Sequence, residues 1–139
     1  MLRRIGIKLG LALVVIALGL GVRFFGRGLG LPIGIVKYGG SVLWATMVFF
    51  LVAALLPRLP RPRLARIAMG IAVGVELVRL VHAPWLDAFR LTLAGALLLG
   101  QIFSVWNLLA YAVGILLGVV VDQVIISRRP LWRRPDVTT

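Results

Sequence analysis

Residues 103–126 read FSVWNLLAYAVGILLGVVVDQVII, and this stretch decides the fold. A helix needs about 20 mostly apolar residues to cross a bilayer, so the stretch is long enough to span one. Its polar and small residues recur every three or four positions, within an arc of roughly 80° at about 100° per residue. They are Ser104, Asn107, Tyr111, Gly114, Gly118 and Asp122. Because polar side chains at membrane depth face protein or a wet cavity, we expect this helix to pack along that stripe.

Three further apolar segments of similar length lie at about residues 5–22, 38–56 and 64–82. Charged residues make up 14% of the chain, against roughly 25% in a typical soluble domain. The sequence therefore predicts an all-α, single-domain protein over residues 1–139, built as a bundle of four transmembrane helices. The first segment also has features of a signal peptide, but its apolar core continues for the length of a span, which favours retention.

A shorter apolar segment precedes the last span. The sequence WLDAFRLTLAGALLLG occupies residues 85–100. Its apolar part, residues 91–100, reaches only about 15 Å as a helix, half of a hydrocarbon core. We therefore expect a short helix between the third and fourth spans, either re-entrant or lying in the membrane interface.

The basic residues predict the orientation. There are 16 Lys and Arg against 4 Asp and Glu, for a net charge of +12. With four spans, both termini share one side with the middle loop, and eleven basic residues fall there: Arg3, Arg4, Lys8, Arg58, Arg61, Arg63, Arg66, Arg128, Arg129, Arg133 and Arg134. Five fall on the other side: Arg23, Arg27, Lys37, Arg79 and Arg90. Basic residues concentrate in cytoplasmic loops, so both termini and the basic tail, residues 127–139, are expected to be cytoplasmic.

Composition also limits the chemistry. The basic residues lie between apolar runs of membrane length, so we expect membrane lipids rather than nucleic acid as partners. The chain has no cysteine, which excludes disulfides and thiol catalysis. One histidine and four acids give no pattern for a metal site, and no cofactor is predicted.

The scarce polar residues gather in VELVRLVHAPWLDAFR, residues 75–90, which holds two of the four acids and the only histidine. The acid–Arg spacing of three residues occurs twice and places each pair on one helical face. The third span runs outward and the fourth returns, so these residues should meet the start of the fourth span in the outer leaflet. We therefore predict a polar pocket open to the extracytoplasmic side. Its candidate residues are Glu76, Arg79, His82, Trp85, Asp87, Arg90, Asn107 and Tyr111.

Structural readings of the same residues stay open. The two acid–Arg pairs are also interpretable as ion pairs, and the Asn107/Tyr111 stripe as a hydrogen-bond seam between helices. Asp122 is expected to be a surface partner of Arg128 and Arg129, and Lys8 to snorkel. His82 is also interpretable as a helix-end residue, and Gly70 and Gly74 as a close-packing face. Arg23, Arg27 and Lys37 are interpretable either as solvated charges or as an anion-attracting rim.

Three runs resemble a known bacterial family: KYGGSVLWATMVFF (37–50), VELVRLVHAPWLDAFR (75–90) and LLLGQIFSVWNLLAYAVGILLG (97–118). They are similar, over about residues 19–122, to domain-of-unknown-function family number 2809, whose members are small four-helix membrane proteins. The matching positions are Lys37, Tyr38, Trp44, Glu76, His82, Pro84, Trp85, Asp87, Arg90, Gly100, Phe103, Trp106 and Tyr111. The acid–Arg–Asp spacing also distantly resembles the VanZ-like membrane proteins linked with glycopeptide tolerance.

Three positions depart from the family pattern. Ser41 and Asn107 stand where the family has Asp, and Arg79 stands where it has Gln, so this pocket is three charges more positive. If an acid at position 41 or 107 carries proton transfer in relatives, this protein lacks it.

Three functions fit this sequence. The first is a non-enzymatic protein that binds a lipid or an envelope-related amphiphile, with arginines holding a phosphate or carboxylate headgroup. The second is an envelope enzyme with Glu76 or Asp87 as acid or base and His82 as a further candidate. The third is a structural or regulatory subunit. Four spans without inverted repeats argue against a transporter, although a homo-oligomer would supply a second half.

Overall fold

This computed structural model describes residues 1–100 and 102–126, which form α-helices joined by turns. The helices are α1 (Leu2–Phe25), α2 (Ile33–Leu55), α3 (Arg61–Val78), α4 (Pro84–Arg90), α5 (Leu93–Leu98) and α6 (Val105–Ile126). No described residue lies in a β-strand, so the all-α prediction is confirmed. The predicted basic tail, residues 127–139, lies outside the described residues.

Three of the four predicted spans are helices long and apolar enough to cross a membrane, namely α1, α2 and α6. The third predicted span is different. We expected residues 64–82, but α3 runs from Arg61 to Val78, so it begins and ends earlier. A proline in its first turn suits the helix start. Pro84 keeps the preceding residue, Ala83, extended at φ −131°, which separates α3 from α4.

Helix α2 forms the centre of the packing, because it contacts α1, α3 and α6, and α3 also packs on α6. Small residues make the α2–α6 contact close. A Cβ on Gly118 would lie 2.7 Å from the ring of Phe49, and a Cβ on Gly114 would collide with the carbonyl of Val42. Five of the six stripe positions lie on α6, and all five are buried, which confirms the predicted packing face; they are Asn107, Tyr111, Gly114, Gly118 and Asp122.

The sequence also predicted a close-packing face on α3 at Gly70 and Gly74. Within a single chain this prediction is wrong. A Cβ added to Gly70 or Gly74 would meet nothing within 4 Å among the described atoms. The G-x-x-x-G spacing shows that a backbone is accessible, but it does not identify a neighbour. In this chain α2 and α6 pack on the opposite face of α3, through Ala68 and Ala72.

The connector before α6 holds two short helices rather than the one expected over residues 85–100. The chain breaks after Arg90, and Thr92 begins α5 as its N-cap, where its hydroxyl accepts a 3.1 Å hydrogen bond from the Gly95 amide. Helices of seven and six residues are each too short to span a bilayer. The connector therefore returns the chain from the end of α3 to the start of α6.

Candidate functional site

A buried carboxylate stands at the end of α3. Glu76 has 0% of its surface exposed. Its Oε1 accepts hydrogen bonds from the Ser104 amide at 2.7 Å and from Asn107 Nδ2 at 3.3 Å. Its Oε2 accepts one from the Tyr111 hydroxyl at 2.9 Å and lies 2.7 Å from Arg79 Nη1. We call Glu76, Arg79, Asn107 and Tyr111 the Glu76 cluster. Four donors, one of them cationic, offset the cost of burying this charge.

The local sequence explains why these groups meet. Arg79 follows the last residue of α3, and its Nε donates to the carbonyl of Leu99 while its Nη1 donates to that of Ile102 at 3.4 Å. The arginine therefore fastens the connector to α3. Gly100 permits this approach, because its φ is +67° and a Cβ would lie 2.7 Å from Arg79 Nη2. Both requirements favour glycine at that position.

Helix α2 also reaches the Glu76 cluster, through residues outside the predicted site. The Ser41 hydroxyl donates to Asn107 Oδ1 at 3.3 Å, and the Trp44 ring lies 5.3 Å from that of Tyr111. The indole Nε1 of Trp44 is buried without a hydrogen-bond partner among the described atoms. The signal for both residues was present in the run KYGGSVLWA, where Trp44 matches the family pattern and Ser41 departs from it.

The second predicted pair lies in α4. Asp87 Oδ1 lies 2.9 Å from Arg90 Nη1 and 3.6 Å from His82 Nδ1, and we call these three residues the connector cluster. Arg90 is buried and also donates to the carbonyl of Val78, which joins this cluster to α3. The side chains of Asp87 and His82 are exposed, at 46% and 72% respectively. Trp85, on the same helix, is exposed as well.

The eight predicted positions therefore divide by accessibility. Glu76, Asn107 and Tyr111 are buried and bonded to one another, which is the arrangement expected of a hydrogen-bond seam between helices. The exposed positions are His82, Trp85 and Asp87. Arg79 lies between the two groups, with 12% of its side chain exposed. Acid–base chemistry needs access for a substrate, so in this arrangement only the exposed group meets that need.

The opposite end of α6 holds a further polar cluster, which corrects two predictions. Asp122 is 3% exposed and lies 2.7 Å from Arg61 Nε and 3.9 Å from Lys8 Nζ. It is thus a buried ion-pair partner, whereas a surface role beside Arg128 and Arg129 was expected; those two lie outside the described residues.

Lys8, expected to snorkel, is also buried, and it donates to the Ala53 carbonyl at 3.1 Å. The Asp122 cluster, Lys8, Arg61 and Asp122, thus joins α1, α2, α3 and α6. The place of Asp122 on the inward-facing stripe was the signal for its burial.

Metal-binding geometry is not evident in the described part of the chain, where no group of three or more His, Asp or Glu side chains is placed to hold an ion. The side chains around the Glu76 cluster and the Asp122 cluster form ion pairs, hydrogen bonds and aromatic contacts.

These features define the class: an all-α protein with three helices apolar enough to cross a membrane, in which a buried ion pair joins α1 to α6 at one end and hydrogen bonds to Glu76 join α3 to α6 at the other. The chain belongs to the DUF2809 family of proteins of unknown function, whose family model matches residues 31–115. The family predicted from the three sequence runs is thereby confirmed. No solved structure gives a significant match. The matched range contains the Glu76 and connector clusters but neither Lys8 nor Asp122.

Proposed function

We propose that this chain is a bacterial inner-membrane protein of the cell envelope with four transmembrane helices and both termini in the cytoplasm. It binds a lipid or an envelope-related amphiphile near the outer leaflet and does not convert it. The fourth span in this proposal is α3, whose 18 residues extend about 27 Å as a helix. Two of its charges have buried partners, since Glu76 pairs with Arg79 and Arg61 with Asp122. Such pairing lowers the cost of placing charges near a bilayer.

The observation that carries the binding proposal is the state of the Arg79 guanidinium. Its Nε and Nη1 are held by Leu99, Ile102 and Glu76, and 12% of its side chain remains exposed. A guanidinium that is fixed in place and still partly exposed is a preorganised donor for a phosphate or carboxylate headgroup. Trp85 and His82, exposed in the connector, supply the aromatic and polar surface that an amphiphile at the interface requires.

The Glu76 cluster supports a role in positioning rather than in catalysis. A general acid or base must reach the reacting proton, and Glu76 has no exposed surface and four donors already around it. In this proposal the cluster holds α3 and α6 in register so that Arg79 stays fixed. The alternative of an envelope enzyme is favoured by one observation only, the exposed His82–Asp87 pair at 3.6 Å.

The test is mass spectrometry of lipids that co-purify with the protein in nanodiscs. We compare wild type with Arg79→Lys, which keeps the charge beside Glu76 but loses the planar fork. The matched control is Arg66→Lys, at an exposed position near the start of α3. An anionic amphiphile retained by wild type and the control, and reduced roughly tenfold by Arg79→Lys, is the expected result.

Identical lipid profiles in all three proteins contradict the binding proposal and favour a structural subunit. A chemically altered amphiphile that accumulates only with Asp87→Asn or His82→Gln favours the enzyme instead. Thermal unfolding of each variant in detergent checks that a lost ligand does not reflect a lost fold.

A further inference from the structure

Three cations outside the two predicted acid–Arg pairs have no acidic partner among the residues that the structure describes. Arg23, Arg27 and Lys37 are exposed. The acids of the described chain are Glu76, Asp87 and Asp122, and each is paired with an arginine. None of them forms an ion pair with these three cations, so the cations remain available to an anion from outside the described protein.

The fold places these cations along one edge. Helix α1 ends and α2 begins around a tight turn, in which the Leu31 amide donates to the Gly26 carbonyl at 3.0 Å. A Cβ on Gly26 would lie 3.0 Å from Val36 Cγ2, so the two helix ends touch there. Arg27 and Lys37 are the next residues after Gly26 and Val36 respectively. Arg23 lies one helical turn before Arg27 and completes the cationic rim, which we define as Arg23, Arg27 and Lys37.

An aromatic groove adjoins the rim. Tyr38 and Trp106 line an open groove of about 270 Å³ between the starts of α2 and α6. The Lys37 ammonium lies 5.2 Å from the Tyr38 ring centroid, which joins the rim to the groove. The 3.3 Å hydrogen bond from Ser41 to Asn107 holds α2 beside α6 close by. Trp106 is 66% exposed, so its indole is available to a ligand.

The surroundings of the rim fit a bilayer interface better than water. Phe24, Phe25 and Leu29 are exposed between and beside the two arginines. Alternating cations and large apolar side chains suit a position where acyl chains meet headgroups. A site for a soluble anion would leave these apolar groups in contact with water.

We propose that the cationic rim and the Tyr38/Trp106 groove bind an anionic phospholipid of the surrounding bilayer. The lipid phosphate lies against Arg23, Arg27 and Lys37, and the glycerol and first acyl carbons occupy the groove. Lysine and arginine both bind phosphate, arginine through two parallel donors. This site uses none of the residues assigned to the amphiphile that Arg79 holds, so it stands independently of the proposed function.

The experiment uses nanodiscs of phosphatidylcholine that contain a trace of photoreactive phosphatidylglycerol with a diazirine near its glycerol. Adducts are mapped to peptides by mass spectrometry. We expect adducts on the peptides that contain Tyr38 and Trp106, and roughly tenfold or greater loss of them in the Arg23→Gln/Arg27→Gln/Lys37→Gln variant. The matched control, Arg58→Gln/Arg63→Gln/Arg66→Gln, removes three exposed cations from the other end of the molecule and should keep these adducts.

Further arms separate the alternatives. The Arg23→Lys/Arg27→Lys/Lys37→Arg variant keeps every charge and should keep the adducts, which excludes loss of fold as the cause. Arg79→Lys should also keep them, which separates this site from the proposed function. Equal labelling by a photoreactive phosphatidylcholine would overturn the proposal, because the groove would then be indifferent to charge. The proposal would also be overturned if inorganic phosphate lowered the labelling of these peptides more than chloride does at equal ionic strength. The rim would then hold a soluble anion.

Discussion

At the scale of single residues, Glu76 shows how a charge is accommodated inside an apolar protein. Its two oxygens accept from a backbone amide, a carboxamide and a phenol, and an arginine supplies the opposite charge. Removing one partner of a buried pair leaves the other charge uncompensated, which costs far more than the loss of one neutral hydrogen bond. Substitutions at different members of the Glu76 cluster should therefore lower stability by different amounts.

We predict that Glu76→Gln lowers the free energy of unfolding by about 3–5 kcal/mol, because Arg79 loses its buried counter-charge. Tyr111→Phe should lower it by only about 1–2 kcal/mol, because the carboxylate keeps its three other donors. Chemical unfolding in detergent micelles measures both values. Equal losses for the two variants would show that the charge itself contributes little.

Sequence reasoning reached part of this cluster, and the reason is physical. The i,i+3 spacing of Glu76 and Arg79 and the periodicity of Asn107 and Tyr111 are local properties of a helix, so each pair was predictable. The contacts of the Ser104 amide and the Leu99 carbonyl were not predictable, because every residue carries these backbone groups and the residue type does not show which of them will form a contact. The closure around Glu76 depends on those two groups, and an open pocket was expected in its place.

At the scale of helices, the α2–α6 contact depends on glycine. The ring of Phe49 occupies the space that a side chain at position 118 would need. The same residue type at position 74 of α3 faces no neighbour within 4 Å in the described structure. These two glycines therefore form a matched pair for testing how tightly the helices pack.

We expect Gly118→Ala to destabilise the protein by about 1–3 kcal/mol, because Phe49 must leave a favourable rotamer or the helices must separate. Gly74→Ala should leave stability unchanged or raise it slightly, since alanine is the better helix former. Thermal unfolding in one detergent compares them directly. A loss at position 74 as large as that at position 118 would indicate that the α3 face packs against another molecule.

The end of the bundle opposite the Glu76 cluster is joined by the Asp122 cluster, which connects residues far apart in the chain. Periodicity predicted an inward-facing Asp122, but not that Lys8 of α1 and Arg61 of α3 would meet it. Such pairing depends on how helices are arranged in space, and one sequence does not contain that information. Nearby arginines in the tail were for that reason assigned as its partners.

Asp122→Asn should destabilise the protein by about 3 kcal/mol or more, because the buried Lys8 loses a carboxylate at 3.9 Å and Arg61 loses one at 2.7 Å. Asp87→Asn removes a half-exposed acid, and the buried Arg90 keeps its bond to the Val78 carbonyl, so this loss should be smaller, about 1–2 kcal/mol. Chemical unfolding of both variants in the same detergent gives the comparison. A larger loss for Asp87→Asn would reverse the ranking of the two clusters.

At the scale of the whole molecule, the helical class and the family were predicted correctly from residue patterns, whereas the number of spans depends on whether α3 crosses the membrane. Apolar length identifies α1, α2 and α6 as helices able to cross a membrane, whereas Arg61, Arg63, Arg66 and Glu76 make α3 too charged to identify in this way. Charges count against a span only when they face lipid, and a composition window does not distinguish paired charges from exposed ones. The course of α3 through the membrane decides where the connector and the C-terminus lie.

The absence of cysteine makes that question accessible, because a single introduced thiol is the only one in the chain. We predict that Leu29→Cys and Leu91→Cys react with a membrane-impermeant maleimide added to intact spheroplasts, since both positions are exposed and extracytoplasmic in the four-span arrangement. Arg58→Cys, between α2 and α3, should react only after permeabilisation. If α3 does not cross, Leu91→Cys will behave like Arg58→Cys while Leu29→Cys still reacts from outside. That pattern would place the connector cluster in the cytoplasm and, with α6 crossing, the C-terminus outside.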